Sequence, residues 1–179
     1  SGFLSDAADP DASLHSNVTG FPFTVTKTNP AAVEDVAYAM NVHRTSYSPT
    51  FNVGEAYGFS ADVVADSSMV RGQILANATV SSTGSNPGFE AGAVSAAQSA
   101  YAGLHVTSAG ATSLAVTIQS DDNSGFTSAT TRFTFTTATG ITSQWLTPVS
   151  GAITDSYWRA GFTQVGGGSW TFVCFLGIQ

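Results

Sequence analysis

Residues 36–43 read VAYAMNVH, and larger apolar side chains stand at every second position: Val36, Tyr38, Met40 and Val42. Residues 57–64, YGFSADVV, show the same alternation. A period of two is typical of a β-strand with two different faces. The two stretches flank a turn at residues 49–54, which contains a proline and a glycine. Together they predict a long antiparallel hairpin.

This hairpin is the predicted assembly element of the chain. It is long enough to extend beyond a small sandwich, and a strand edge can complete its hydrogen bonds with a neighbouring subunit. The residues assigned to the assembly hairpin are Tyr47, Pro49, Phe51 and Gly54.

Strand patterns recur along most of the remaining chain. Residues 9–15, DPDASLH, predict one short helix, because Asp9 can cap it and Pro10 suits its first turn. The fold class is therefore all-β, with two small antiparallel β domains. The first is a sandwich or barrel with one short helix, and the second is an immunoglobulin-like or jelly-roll-like sandwich.

A glycine-, serine- and proline-rich stretch sets the predicted domain boundary. Residues 81–88 read SSTGSNPG, a composition typical of a linker. The predicted domains are then residues 1–80, the assembly domain, and residues 89–179, the appended sandwich.

The charge balance argues against nucleic-acid binding. The net charge is −7, only 9% of residues are charged, and the five basic side chains are scattered singly. Binding to phosphates requires a cluster of basic groups. A surface with few charges is also cheaper to desolvate, which favours packing against other proteins.

Motifs for catalysis and metal binding are absent from the sequence. His15, His43 and His105 are far apart, and no GxSxG or HExxH pattern occurs. We therefore predict a protein that is not an enzyme and has no cofactor.

Residues 121–125, DDNSG, resemble half of a calcium loop. The calcium candidates are Asp121, Asp122 and Asp155, and the alternative is a hairpin turn that uses Asn, Ser and Gly.

Other residue types give narrower predictions. Cys174 is the only cysteine and lies in an apolar run, which predicts a buried thiol. No stretch approaches the length of a membrane span, so no membrane partner is predicted. Trp145 and Trp158 are candidate aromatic contacts for a carbohydrate, with core positions as the alternative.

Several short motifs carry a resemblance to a known family. Residues 54–62 (GEAYGFSAD) are followed by residues 70–77 (VRGQILAN), and then by residues 102–107 (AGLHVT) and 114–122 (LAVTIQSDD). This order, closed by a strand that begins at Trp170, resembles tail-tube-like proteins of long-tailed bacteriophages that carry an appended C-terminal β-sandwich. The resemblance covers most of the chain.

The resemblance implies a virion structural protein, most simply a tail tube subunit whose rings form a DNA conduit. Its partners would be copies of itself and other virion proteins, and its location would be the virion. Glu55, Asp62 and Asp66 are then candidates for facing the lumen, where acidic groups repel DNA. Solvated turn charges are the alternative for these acids. A capsid decoration protein and a carbohydrate-binding sandwich are the other functions considered.

Overall fold

Every regular element of the computed structural model, which describes residues 20–50 and 58–179, is a β-strand. The predicted all-β class is confirmed. The predicted helix at residues 9–15 lies outside the described residues. The strands are β1 Phe21–Thr26, β2 Val36–Thr50, β3 Gly58–Ala65, β4 Val70–Val80, β5 Gly84–Ser85, β6 Phe89–Glu90, β7 Ser99–Ser108, β8 Ser113–Asp121, β9 Thr130–Thr134, β10 Thr142–Trp145, β11 Val149–Ser150, β12 Tyr157–Val165 and β13 Trp170–Ile178.

Eight strands form a large antiparallel sheet with the order β1-β2-β4-β13-β7-β10, in which β3 also pairs with β2 and β11 with β7. The sheet curls into a half-barrel, so that β1 comes close to β10. Strand β13 is apolar on both faces, as is typical of a central strand, and it pairs with β4 on one side and β7 on the other.

A second sheet with the order β5-β12-β8-β9, to which β6 adds by pairing with β12, covers one face of the large sheet. Side chains of both sheets form the main core. Its largest fully buried members are Trp158, Trp170 and Phe172. Alternating residues of β8 point into this core, which explains the clear apolar periodicity of that strand.

A smaller core fills the concave face of the half-barrel. Phe175 and Ile74 occupy its centre, and the facing positions on β2 are the small residues Ala37 and Ala39. Trp145 packs over Gly103, with ring carbons 3.3 Å from the position that a Cβ would take. Large and small side chains therefore alternate across this tightly curved face.

The predicted domain boundary falls where the two halves of the chain are closely joined. Strand β4, from the predicted first domain, pairs with β13 along most of its length. The predicted linker contains β5, which pairs with β12. The division into residues 1–80 and 89–179 stays a prediction, and the large sheet is continuous across it.

Candidate functional site

The predicted hairpin pairing is observed between β2 and β3. The first part of β2 is held between β1 and β4, whereas residues 43–50 have only β3 as their hydrogen-bonded neighbour among the described strands. Residues 43–50 and 58–64 thus form a two-stranded extension of the large sheet, called here the ribbon. Tyr47 and Pro49 lie on it, and Phe51 and Gly54 fall outside the described residues.

Both faces of the ribbon mix polar and apolar side chains. On one face Ser46 pairs with Asp62 and Ser48 with Ser60, and Val64, which is 49% exposed, lies on the same side of β3. On the other face Tyr47 pairs with Ala61 and Arg44 with Val63, which is 36% exposed. The Arg44 guanidinium lies over the Tyr47 ring, 5.6 Å from its centroid.

Strand β3 is an edge. Its hydrogen-bonded partner in the described part of the sheet is β2, and its other side pairs with no described strand. Backbone N–H and C=O groups on such an edge are available to another chain. The ribbon thus offers a strand edge to another chain.

The acids predicted to face a lumen lie on the flank and at the base of the ribbon. The Asp62 carboxylate accepts a hydrogen bond of 2.6 Å from the Ser46 hydroxyl. Asp66 follows β3, and its carboxylate contacts Nδ1 of His43. Glu55 lies outside the described residues. Both described acids are partly or largely solvent-accessible, and their orientation toward a lumen stays a prediction.

A second apolar surface lies at the other end of β2. Phe23, Val25, Val36 and Tyr38 are each 38–47% exposed and share one face of the paired strands β1 and β2; we call them the outer apolar patch. The buried side of β2 carries Ala37 and Ala39 instead. Residues 36–39 are apolar on both sides of the strand, so the alternating pattern does not say which side is buried and does not identify this patch.

The carboxylates of the calcium candidates accept hydrogen bonds from protein donors. Asp121 is buried and accepts the backbone N–H of Ser128 at 2.8 Å and that of Asn123 at 3.3 Å. Asp122 accepts the Asn123 amide. In the described parts of the chain, no group of three or more His, Cys, Asp or Glu side chains is placed to hold a metal ion.

Asp155 belongs to a separate, partly buried ion-pair network. Its Oδ2 accepts hydrogen bonds from the Ser120 hydroxyl at 2.6 Å and from Nη2 of Arg132 at 2.9 Å. Nε of Arg132 donates in turn to the Ser120 oxygen at 2.8 Å. The Ser120 and Arg132 hydrogen bonds lower the pKa of the Asp155 carboxyl below its ordinary value. The arrangement ties β8, β9 and the segment before β12 together.

Burial raises the pKa of the neighbouring Asp121 carboxyl, but the hydrogen bonds that it accepts, led by the Ser128 backbone N–H, lower it further, so that the net shift is downward. The DDNSG loop is thus organised around an ionised, internally satisfied carboxylate. This is the Asn, Ser and Gly turn chemistry that the sequence offered as the alternative to a calcium loop.

The two tryptophans proposed as carbohydrate contacts have packing roles. Trp158 is fully buried, so its ring face is closed to a ligand, and its indole N–H donates to the Gly92 carbonyl at 2.8 Å. This is a correction for Trp158, which takes the core position that the sequence left open. Trp145 is half-buried on the concave face and stacks on Phe175 at 6.2 Å between ring centroids.

The remaining polar groups of interest are engaged by neighbours. His105 and Asn77 line a groove of about 460 Å³ beside the segment that follows β1. Nε2 of His105 lies 2.9 Å from the Thr24 hydroxyl, and burial lowers the pKa of this imidazole. Asn77 donates to the Ala31 carbonyl at 2.6 Å. Cys174 is buried as predicted, and burial raises the pKa of its thiol.

Comparisons with protein-family models, curated proteins and solved structures find no match to this chain. Among the described residues, none forms a helix that could cross a membrane. The geometry of the ribbon and the outer apolar patch is therefore the main guide to function.

Proposed function

We propose that this protein is a structural component that assembles with copies of itself through the β2–β3 ribbon, as a tail tube subunit of a long-tailed phage does. The observation that carries the proposal is the ribbon itself. It extends past the strands that hold the base of β2, and its β3 edge pairs with no other described strand.

Physical chemistry favours a partner for such an element. A two-stranded hairpin alone in water is marginally stable, because it buries too little apolar surface to offset its conformational entropy. Burial of Ala61 and Val63 by another subunit would reduce that deficit. Pairing at the β3 edge would satisfy its outward backbone groups at the same time.

The surface chemistry supports assembly in a second way. With 9% charged residues, the chain presents few strongly hydrated side chains that an interface must desolvate. Thr, Ser and Gly cover much of the exposed strand surface instead. The net charge of −7 suits a conduit that must not retain DNA, which is the part of the proposal that depends on the resemblance.

The proposal is tested by measuring the mass of the purified chain with light scattering and by imaging it with electron microscopy. We expect ring-shaped or tubular homo-oligomers. Val63→Lys, on the ribbon, should raise the concentration needed for assembly by about tenfold or more, since a lysine ammonium would have to be desolvated in an apolar contact. Val165→Lys is the matched control, because Val165 is an exposed valine of β12, on the smaller sheet.

A wild-type chain that stays monomeric at the highest accessible concentration would refute self-assembly. Equal loss of assembly in Val63→Lys and Val165→Lys would show that the ribbon is not the contact. Trimers without rings would favour the capsid decoration alternative over the tail tube.

A further inference from the structure

The concave face of the half-barrel becomes polar toward one end. Phe175 of β13 pairs with Ile74 of β4, and both belong to the smaller core. Two residues earlier on β13, Val173 pairs with Asn77 of β4 and with His105 of β7. Paired residues of a sheet point to the same face, so Asn77 and His105 flank Val173 on the concave side. The apolar core therefore ends at a row that contains an amide and an imidazole.

This row lines the groove of about 460 Å³ beside the segment that follows β1. Ile74 and Val173 give the groove an apolar floor that is continuous with the smaller core. Small-molecule sites have volumes of about 300–1,000 Å³, and the mouth of a barrel is a common place for them. Hydroxyl groups also line the groove, at Thr24, Thr26, Thr28 and Thr107.

Asn77 and His105 each use one polar atom within the protein and leave another without a protein partner. Nδ2 of Asn77 donates to the Ala31 carbonyl at 2.6 Å, and Nε2 of His105 lies 2.9 Å from the Thr24 hydroxyl. Among the described residues, no group forms a hydrogen bond with Oδ1 of Asn77 or Nδ1 of His105. The two existing bonds hold both side chains in place, so a ligand would not have to order them.

We propose that this groove binds a neutral sugar residue. Threonine hydroxyls, the Asn77 amide and a neutral imidazole can together donate and accept hydrogen bonds, as the hydroxyls of a sugar also do. The C–H surface of the sugar ring would lie on Ile74 and Val173. A wholly apolar ligand would leave the open polar atoms of Asn77 and His105 without a partner, which costs binding free energy.

The charges around the groove favour a neutral ligand over an ionic one. Lys27 is solvent-exposed at the rim, and among the described lining residues it is the only Lys, Arg, Asp or Glu. Burial lowers the pKa of His105, so its imidazole is uncharged at neutral pH. No fixed charge inside the groove would therefore offset the desolvation of an ionic ligand.

The groove is separate from the ribbon. Its described lining residues include none of residues 43–50 or 58–64. Sugar binding therefore does not depend on the proposed self-assembly and adds a second property to the same chain.

Saturation-transfer difference NMR on the full chain tests the proposal, because it detects weak binding whatever the oligomeric state. The probes are the methyl glycosides of glucose, galactose, mannose and N-acetylglucosamine, with methyl glucuronide as the charged comparison. We expect at least one neutral glycoside to receive saturation. Its affinity should lie in the millimolar range, because one sugar ring has few atoms with which to make contacts.

Asn77→Leu and His105→Leu replace the polar side chains of the groove with an apolar one. Each should weaken binding of that glycoside by about tenfold or more, through the loss of a partly buried hydrogen bond. Gln73→Leu is the matched control and should bind as the wild type does. Gln73 is likewise an amide of β4 that donates to a backbone carbonyl, that of Glu34. It pairs with Leu176 of the main core and so faces away from the groove.

Circular dichroism checks the fold of each variant, and the two groove variants keep the test usable if one of them fails to fold. An absence of saturation transfer from the wild-type chain to every neutral glycoside would overturn the proposal. Equal binding by the wild type and a folded groove variant would overturn it as well, as would an equal loss in Gln73→Leu.

Binding of methyl glucuronide without binding of any neutral glycoside would overturn the neutral class and indicate recognition of a charge through Lys27. None of these results depends on the mass of the assembly. A monomeric chain that binds a glycoside would therefore refute the proposed self-assembly alone, and rings that bind none would refute the sugar site alone.

Discussion

The buried polar residues of the smaller sheet show how individual side chains decide between a metal site and a structural network. Asp121 is satisfied by backbone and side-chain donors of its own loop, whereas Asp155 is satisfied by Arg132 and Ser120. Buried carboxylates require such partners, because an unpaired charge in a low-dielectric interior is costly. These acids stabilise a turn and a sheet edge. Protein hydrogen-bond donors occupy the positions around their carboxylates that a calcium ion would take in a metal site.

The pH dependence of stability should reveal the Asp155 network. The folded-state pKa of Asp155 is lowered from its ordinary value of 3.8, so its contribution is complete above that pH and is lost as the pH falls through the lowered pKa. We expect Asp155→Asn to reduce the free energy of unfolding by about 1–3 kcal/mol near neutral pH. The difference from wild type should shrink as the pH falls below 3.8 and through the lowered pKa.

Urea unfolding at neutral and at acidic pH measures this difference. A difference in unfolding free energy that stays constant across the acidic range would contradict this prediction. It would mean that the charge of Asp155 contributes nothing to stability and that only the size and packing of its side chain do.

At the scale of elements, β2 joins two environments on one strand. Its first half lies between β1 and β4 and buries Ala37 and Ala39, whereas its second half continues as the ribbon. The hairpin follows from the alternating pattern in the sequence. The burial of the alanines, with Val36 and Tyr38 left outside, places them in one core with Ile74 of β4 and Phe175 of β13.

Hydrogen exchange should separate the ribbon from the rest of the large sheet. In a dilute monomer, amides of residues 43–50 and 58–64 should exchange at least about 100-fold faster than those of β13, because the ribbon opens locally without disturbing the core. In the assembled protein the ribbon amides should become protected, while the buried, doubly paired β13 serves as the internal control. Mass spectrometry of peptic fragments measures both states.

Ribbon amides that remain equally fast in the assembled protein would contradict a role in the subunit contact. Ribbon amides as slow as those of β13 in the monomer would contradict the marginal stability argued for it.

At the scale of the whole molecule, β13 links the two halves of the chain. It pairs with β4 from the first half and β7 from the second, and its side chains enter both the main core and the core of the half-barrel. Leu75, Ala76 and Val80 of β4 lie in the main core beside residues of the smaller sheet. The strands before and after the predicted linker are therefore expected to unfold together.

A pair of fragments tests this cooperation. Residues 89–179 alone lack β4 and β5, so β13 loses one neighbour and the core loses three buried side chains. We expect this fragment to show no cooperative thermal transition, and a fragment of residues 67–179, which restores β4, to regain one. Circular dichroism at increasing temperature measures both. A cooperative transition for residues 89–179 would instead establish the predicted domain boundary.

The sequence by itself determined the all-β class, the β2–β3 pairing, the apolar character of both faces of β13 and the burial of Cys174. These properties follow from residue periodicity and local composition, which act within one strand or between neighbours in the chain. The local composition of DDNSG left both a calcium loop and an Asn, Ser and Gly turn open. The position of Trp158 could not be predicted from local sequence, because an isolated aromatic residue has the same local pattern in the core and on the surface.

Only the tertiary structure decided which face of β2 is buried, where β4 belongs and what surrounds Asp155. Each depends on contacts between residues distant in sequence: Ala37 against Phe175, β4 against β13, and Arg132 against Asp155. The outer apolar patch arises in the same way, because the smaller sheet covers only part of the large sheet's face. Strand periodicity specifies that a strand has two faces, but the partner that covers a face is chosen by packing across the whole chain.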